Sequence, residues 1–446
     1  MYDTPLPRMP RESSATSNVK LACRFLRAGR ALTSMVILSL LFAAAVRAQE
    51  RVRTSEPAPA ITAYARAPDA FFYFGPFQEE LVGSADVAYT DNVNLTDTDK
   101  ISDLSYTESL NLNTTWVISH LNQLQFTFGG QLIEHFYGNG RNQINFAVSP
   151  NSKIELKFEI SNFKIRFFDQ FSYSQNPTTD PTATNTANLN NLTNTIGAAV
   201  DADLNIAVLT LSADYTYNSE SGQTAEGQNN ASTTGTRSTF RAGPTLTFRL
   251  SPQIAYGLNV QATRSSSVDN ANINSLNVGP FVNGKLSRDF EFDLAGGGSF
   301  VDTKPSIAPG YYFSADVRYL INRHWQLLLS ASHDLVFTTG NDLTEENLFK
   351  FGTQLELTRA FTFNIAPFLN FGDIKTSQGV SIPTGQSDYT QFGLEASLTW
   401  KPRKRWTTSL VYDYVRRESG ATFATGVVAS QNYIQNTLSL SVGYSF

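Results

Sequence analysis

The sequence predicts an all-β chain, a transmembrane antiparallel up-and-down β-barrel of about 18 strands, with 16 to 18 compatible with its pattern. Three observations predict it. Apolar and polar residues alternate in runs of a dozen or so from residue 79 to the end, short turns alternate with long polar connections, and an export-type apolar segment precedes both.

The apolar segment, residues 35–46, follows Arg24, Arg27 and Arg30 and is followed by Arg47, Ala48 and Gln49. A membrane helix needs about 20 apolar residues, so this run is too short to span comfortably. Small residues at Val46 and Ala48 suit a cleavage point after Ala48. The expected organisation is a secretory signal peptide over residues 1–48, a periplasmic N-terminal extension over 49–78, and an outer-membrane barrel over 79–446. Cys23, the single cysteine, precedes the apolar run, so the mature chain carries no thiol for disulfides, metal sites or catalysis. Beyond Ala48 no run approaches the length of a membrane helix, and any membrane contact must be made by strands. With 16% charged residues and a net charge of -5, the chain lacks the basic stripe that a nucleic-acid partner requires.

Alternation is clearest in the last segment. Ile434, Asn436, Leu438, Leu440, Val442, Tyr444 and Phe446 share one face, and Thr437, Ser439, Ser441, Gly443 and Ser445 the other. Soluble strands average five or six residues, so runs of this regularity favour a barrel wall. Pairs of such runs meet at short turns. Leu110, Leu112, Thr114 and Trp116 reach a turn at residues 120–122, and Leu124, Phe126, Phe128 and Leu132 leave it. Further hairpins turn at residues 251–253, 322–324 and 359–360, and the intervening connections 175–190, 219–234, 373–386 and 419–431 are long and polar. In outer-membrane barrels short turns face the periplasm and long loops face outward.

Trp116, Trp325, Trp400 and Trp406 all flank short turns and are expected to form an interfacial girdle, since indole pairs an apolar body with one polar donor. Residues 141–174 are the least regular part. They are read as strands over 153–160 and 163–173 around Ser161 and Asn162, with a bulge near Pro150 and a second irregularity where Asp169 falls on the apolar parity.

No catalytic residue, cofactor or metal site is expected. None of the four histidines stands in ligand spacing with another His or Cys, and no phosphate loop or nucleophile elbow is present. His333 and Asp334 come nearest to a hydrolytic pair of the kind adjacent strands can carry. More informative are charges on the inward parity: Arg237, Arg241, Arg249, Lys285, Glu291, Asp293, Asp316, Arg318, Glu356, Glu395 and Asp413. A charge facing lipid near the midplane costs about 2 to 4 kcal/mol, whereas one facing water costs little, so these residues are expected to line a wet lumen. Solute selection and cross-strand ion pairing that stiffens the wall both account for them. The basic run 401–405 is either a solvated turn or a docking point for an acidic periplasmic partner, and Arg416 and Arg417 at the other end are placed to meet lipopolysaccharide phosphates.

Ala85, Asp86, Val87, Ala88, Tyr89, Thr90, Asp91, Asn92, Val93, Asn94 and Leu95, with Ser102 and Asp103 after them, resemble the opening of the β-barrel porin 2 family. In that family a Tyr-x-Asp-Asn type motif ends the first strand and a Ser-Asp pair begins the second. The resemblance implies a bacterial outer-membrane barrel, discussed alongside exopolysaccharide export, with no catalytic residue to carry over. Leu438, Leu440, Val442, Tyr444 and Phe446 likewise resemble the signal read by the barrel-assembly machinery, with Ser441 where many such signals have Gly. The expected function is a porin-like channel in the cell outer membrane, passing hydrophilic solutes or an exopolysaccharide chain passively, in contact with lipid and lipopolysaccharide. The alternative is a structural or adhesive barrel whose outer loops bind a partner.

Overall fold

The computed structural model describes residues 72–446 apart from 98, 139, 141, 176–185, 225–231, 268–271, 303–306, 338–342, 378–379, 382–387 and 420–431. The segment expected to be a signal peptide, most of the expected extension and most of the long connections lie outside the described residues. Within them, 21 strand segments form one antiparallel sheet. Asn142–Val148 and Lys153–Ile160 both pair with the preceding strand and are two halves of one strand, and Phe72–Phe74 and Val380–Ser381 are short hairpin extensions. Eighteen wall strands remain.

In chain order these are β1 Phe77–Thr90, β2 Asp103–Val117, β3 Gln123–Tyr137, β4 in its two halves, β5 Phe163–Ser174, β6 Thr186–Asp203, β7 Ala207–Thr224, β8 Ser232–Arg249 and β9 Ile254–Ser267. The second half comprises β10 Ile273–Lys285, β11 Phe290–Asp302, β12 Ile307–Asn322, β13 Trp325–Phe337, β14 Leu343–Glu356, β15 Phe361–Ser377, β16 Asp388–Arg403, β17 Trp406–Ser419 and β18 Tyr433–Ser445. Each pairs with its neighbours in sequence, and β18 pairs with β1 from Ser445 opposite Val82 to Thr437 opposite Thr90, which closes the barrel. Closure leaves no ladder edge unpaired, the condition a sheet must meet in a medium without water.

Six of the short turns share one device. Their leading residues are Ser119, Asp203, Ser251, Ser287, Asn322 and Thr358, and each side-chain oxygen accepts a hydrogen bond from the backbone N–H two residues on, at 2.8–3.2 Å. Such side-chain caps supply the turn's own acceptor and free it from the ladder.

One expectation about irregularity is corrected. The interruption at residues 149–152 is where Pro150 placed it, but Asp169 causes none. It pairs in unbroken register between Ile154 and Ile196 and keeps its place among apolar neighbours by accepting from Asn194 Nδ2 at 2.7 Å. Satisfying the carboxylate locally is less disruptive than shifting every later side chain to the other face. The sheet also begins earlier than residue 79. β1 starts at Phe77, and Phe72–Phe74 folds back on it through Gly75, whose φ of 63° is left-handed, so the wall reaches into the segment assigned to the extension.

Every strand shows two faces. On the outer one, Leu110, Phe126, Phe128, Leu398, Leu410 and Leu440 are exposed, and the register carries this apolar face from strand to strand around the barrel. The four Trp lie on this face near the short-turn end. Trp116 stacks on Phe77 at 5.4 Å and Trp400 on Phe361 at 5.9 Å, Trp406 meets Tyr444 edge-on at 5.0 Å, and Trp325 Nε1 donates to Thr353 Oγ1 at 2.7 Å.

Candidate functional site: the polar inner wall

The opposite parity forms the concave face. Its strands are cross-linked by small polar side chains: Ser409 and Ser441 at 2.8 Å, Thr195 and Thr216 at 3.0 Å, Thr127 and Asn113 at 2.6 Å, Asn364 and Ser397 at 3.1 Å. These bonds tie neighbouring strands together.

All eleven charged residues assigned to the inward parity stand on this face, and the fold gathers them into groups. Toward the short-turn end, Lys285 Nζ lies 2.9 Å from Glu291 Oε1 and Arg318 bonds the same carboxylate, with Asp293 and Asp316 paired in the next register position. Arg241 Nε donates to Asp214 Oδ2 at 2.9 Å, and Arg237 lies two positions along the same face of β8. Glu395 and Asp413 sit directly opposite each other on β16 and β17. Arg249 and Glu356 stand apart from these groups, the latter near His324 at 3.4 Å.

Sequence reasoning passed over a further cluster. Glu155, buried on β4, is ringed by Lys153 at 2.9 Å, Lys157 at 3.5 Å and Arg166 at 3.8 Å. The alternation of Lys153, Glu155 and Lys157 is the signal that marks it, since residues two apart share a face. Lys153, Lys157, Arg166, Arg237 and Arg241 fall on β4 to β8 beside the carboxylates Glu155, Asp201 and Asp214, whereas Asp86, Glu395 and Asp413 fall on β1, β16 and β17.

Near the long-loop end the wall is thickened. Tyr389 lies over Gly372 of the neighbouring strand, donates to Glu346 Oε1 at 2.9 Å on the strand beyond, and carries the Arg417 guanidinium on its ring at 4.4 Å. A Cβ on Gly372 would collide with that ring. Gly372→Val is therefore expected to cost about 1–3 kcal/mol through overpacking, read as a lowered urea midpoint of the lipid-refolded barrel.

Two placements are corrected here. Arg417 is 1% exposed on the inner face, away from the lipopolysaccharide contact expected of it, whereas Arg416 lies on the outer face, paired with Glu418. His333 and Asp334 point to opposite sides of β13. His333 stacks on Tyr311 of the outer face at 4.1 Å and meets Asn347 Oδ1 at 2.9 Å, while Asp334 faces the bore, so the two form no hydrolytic pair. Among the described residues no group of three or more His, Cys, Asp or Glu side chains is placed to hold a metal ion.

The loop between β1 and β2 carries the resemblance motif. Asn92, Val93, Asn94, Leu95 and Thr96 are buried. Asn92 Nδ2 donates to Thr96 O at 2.7 Å and Ile434 O at 2.8 Å, and the Asp91 carboxylate accepts from Asn436 N and Nδ2 at 2.7 and 2.6 Å. The motif thus clasps the first strand to the last. Asp103, its other half, accepts from His135 Nδ1 at 2.6 Å on β3.

No protein-family model and no curated protein sequence matches the chain. Among solved structures, Pseudomonas aeruginosa OccK7 (OpdD) is similar at 10% identity and a TM-score of 0.48, covering 84% of this chain and 99% of its own. Pseudomonas aeruginosa OpdK with vanillate is similar at 11% identity and a TM-score of 0.46, covering 82% and 99%. The ferric enterobactin receptor of the same organism is similar at 8% identity and a TM-score of 0.44, covering 82% and 80%.

Proposed function

We propose that the chain is a channel of a bacterial outer membrane, through which small hydrophilic solutes or a saccharide chain diffuse along the polar wall. The observation that carries this reading is the sidedness of the wall. Large apolar side chains are exposed all around the outer face, while Glu395 and Asp413 stand side by side on the inner face with no cation in salt-bridge range among the described residues. Two adjacent carboxylates are costly in a dry interior and cheap in water, so the bore is wet. The outer face then meets lipid and lipopolysaccharide, with the four Trp as its periplasmic girdle, and the apolar residues of β18 ending in Phe446 serve the barrel-assembly machinery.

Planar-bilayer recording of the refolded protein tests the proposal. Discrete conductance steps are expected; incorporation of folded barrel without any step would make it a closed structural wall. The adjacent carboxylates also predict that Glu395→Gln with Asp413→Asn lowers the cation-to-anion permeability ratio, measured as a shift in reversal potential under a salt gradient.

A further inference from the structure

The inner wall from β7 to β13 holds a concavity of about 250 Å³ lined by polar side chains together with Tyr312 and Leu335. Thr216, Arg237, Arg241, Asn259, Asn277 and Asp334 contribute to it. Its chemistry is unusual in what is already committed and what is not. Arg241 Nε is bonded to Asp214 Oδ2 at 2.9 Å and Nη2 to Thr216 Oγ1 at 3.1 Å, so its charge is neutralised and its fork is held still. A guanidinium carries five N–H donors, and these two bonds leave others for a ligand. Asn259 is 8% exposed, and its Nδ2 is committed to Thr245 Oγ1 at 2.7 Å while its Oδ1 has no donor. The buried Oδ1 of Asn277, on the next strand, has none either.

We propose that this concavity binds a neutral, hydroxyl-rich ligand, namely one sugar unit of a saccharide. Two amide oxygens without donors call for groups that donate, and the fixed N–H groups of Arg241 call for groups that accept. A sugar hydroxyl does both at once. A free carboxylate would meet Asp214, Asp334 and the two amide oxygens, and a cation would meet Arg237 and Arg241, so neither charge is favoured. Leaving a buried oxygen without a donor is costly, and both oxygens are closed to solvent as they stand, so each amide must turn toward the concavity for a ligand hydroxyl to remove that cost.

The inference rests on the wet-bore reading in one respect: the ligand reaches the wall from the lumen. The test uses the full-length barrel in a planar bilayer, with D-glucose, D-galactose and D-mannose as probes and D-glucuronate as the charged counterpart. At least one neutral hexose is expected to block current saturably, with glucuronate weaker by about tenfold. Asn277→Leu, and Asn277→Ala as the milder change, should weaken the block by about tenfold, with the folded band of unheated protein on a denaturing gel showing that both variants fold. A conducting barrel that no hexose blocks saturably overturns the pocket and leaves the channel standing. So does a block that Asn277→Leu and Asn277→Ala leave intact, or tighter binding of glucuronate than of any hexose. If the barrel does not conduct, the channel reading falls, and saturation-transfer NMR on the detergent-solubilised protein decides the pocket alone: transfer to a hexose that Asn277→Leu removes supports it, and its absence overturns it.

Discussion

Leu410→Arg is expected to destabilise the barrel by about 2 to 4 kcal/mol, and its neighbour Ser409→Arg by less than about 1 kcal/mol. Leu410 stands in the middle of the apolar stretch of β17 between Trp406 and Arg416, and the register sets it between Leu398 and Leu440 on the adjoining strands. A guanidinium there must be placed in lipid or drag water in. Ser409 lies one residue away but faces the bore, where its partner is Ser441. A long cation there keeps its hydration. Urea unfolding of the two variants refolded into lipid vesicles measures the difference. Equal losses would mean that the two faces meet the same solvent.

The second large effect falls on the clasp between the first and last strands. Asn92→Ala removes the donor to Thr96 O and Ile434 O and the acceptor for Thr96 N, all in a fully buried position. Leaving these backbone groups without partners is expected to cost roughly 2–4 kcal/mol. The loss should appear as a lower temperature at which the folded band of unheated protein disappears on a denaturing gel. Asn151→Ala, in the exposed interruption of β4, serves as the comparison and should leave that temperature unchanged, since its side chain bridges no seam. Asn92→Asp should be as damaging as the alanine variant, because a carboxylate cannot donate and would face the Ile434 carbonyl.

Much of the wall was legible because a barrel in lipid imposes a period of two over long runs, and few other folds do. The eighteen strands follow from that period together with the turn residues: Ser251, Asn322 and Thr358 each cap the turn they begin, so the breaks are visible as small polar residues between apolar runs. Parity alone assigned Arg241 and Glu395 to the polar face. It did not reveal that one is neutralised by Asp214 while the other faces Asp413, because partners come from strands whose register depends on the turns between them. Asp169 shows the opposite limit. A charged residue on the apolar parity suggests a slipped register, yet one hydrogen bond from Asn194 across the strand pair suffices to hold it in place. Arg417 was misplaced for a simpler reason. It was grouped with Arg416 by adjacency, and adjacent residues in a strand look in opposite directions.

The resemblance motif gained a physical role that spacing could not supply. Asp91 and Asn92 are followed by a long stretch of sequence before their partners, Ile434 and Asn436, appear. Only closure of the sheet brings the two ends together. Asn92 is therefore better understood as part of the seam than as surface-loop polarity, while Asn94 braces the loop itself through Asp99 O and Ile101 N.

The central claim, a wet inner face behind a lipid-facing outer one, is tested most directly by alternate-residue thiol labelling along β17 and β18. In a Cys23→Ser background, single cysteines at Ser409, Val411, Asp413, Ser439 and Ser441 should react with a charged, membrane-impermeant thiol reagent when the barrel is in vesicles, and those at Leu410, Tyr412, Leu438 and Leu440 should not. Reaction at both parities, or at neither, would contradict it.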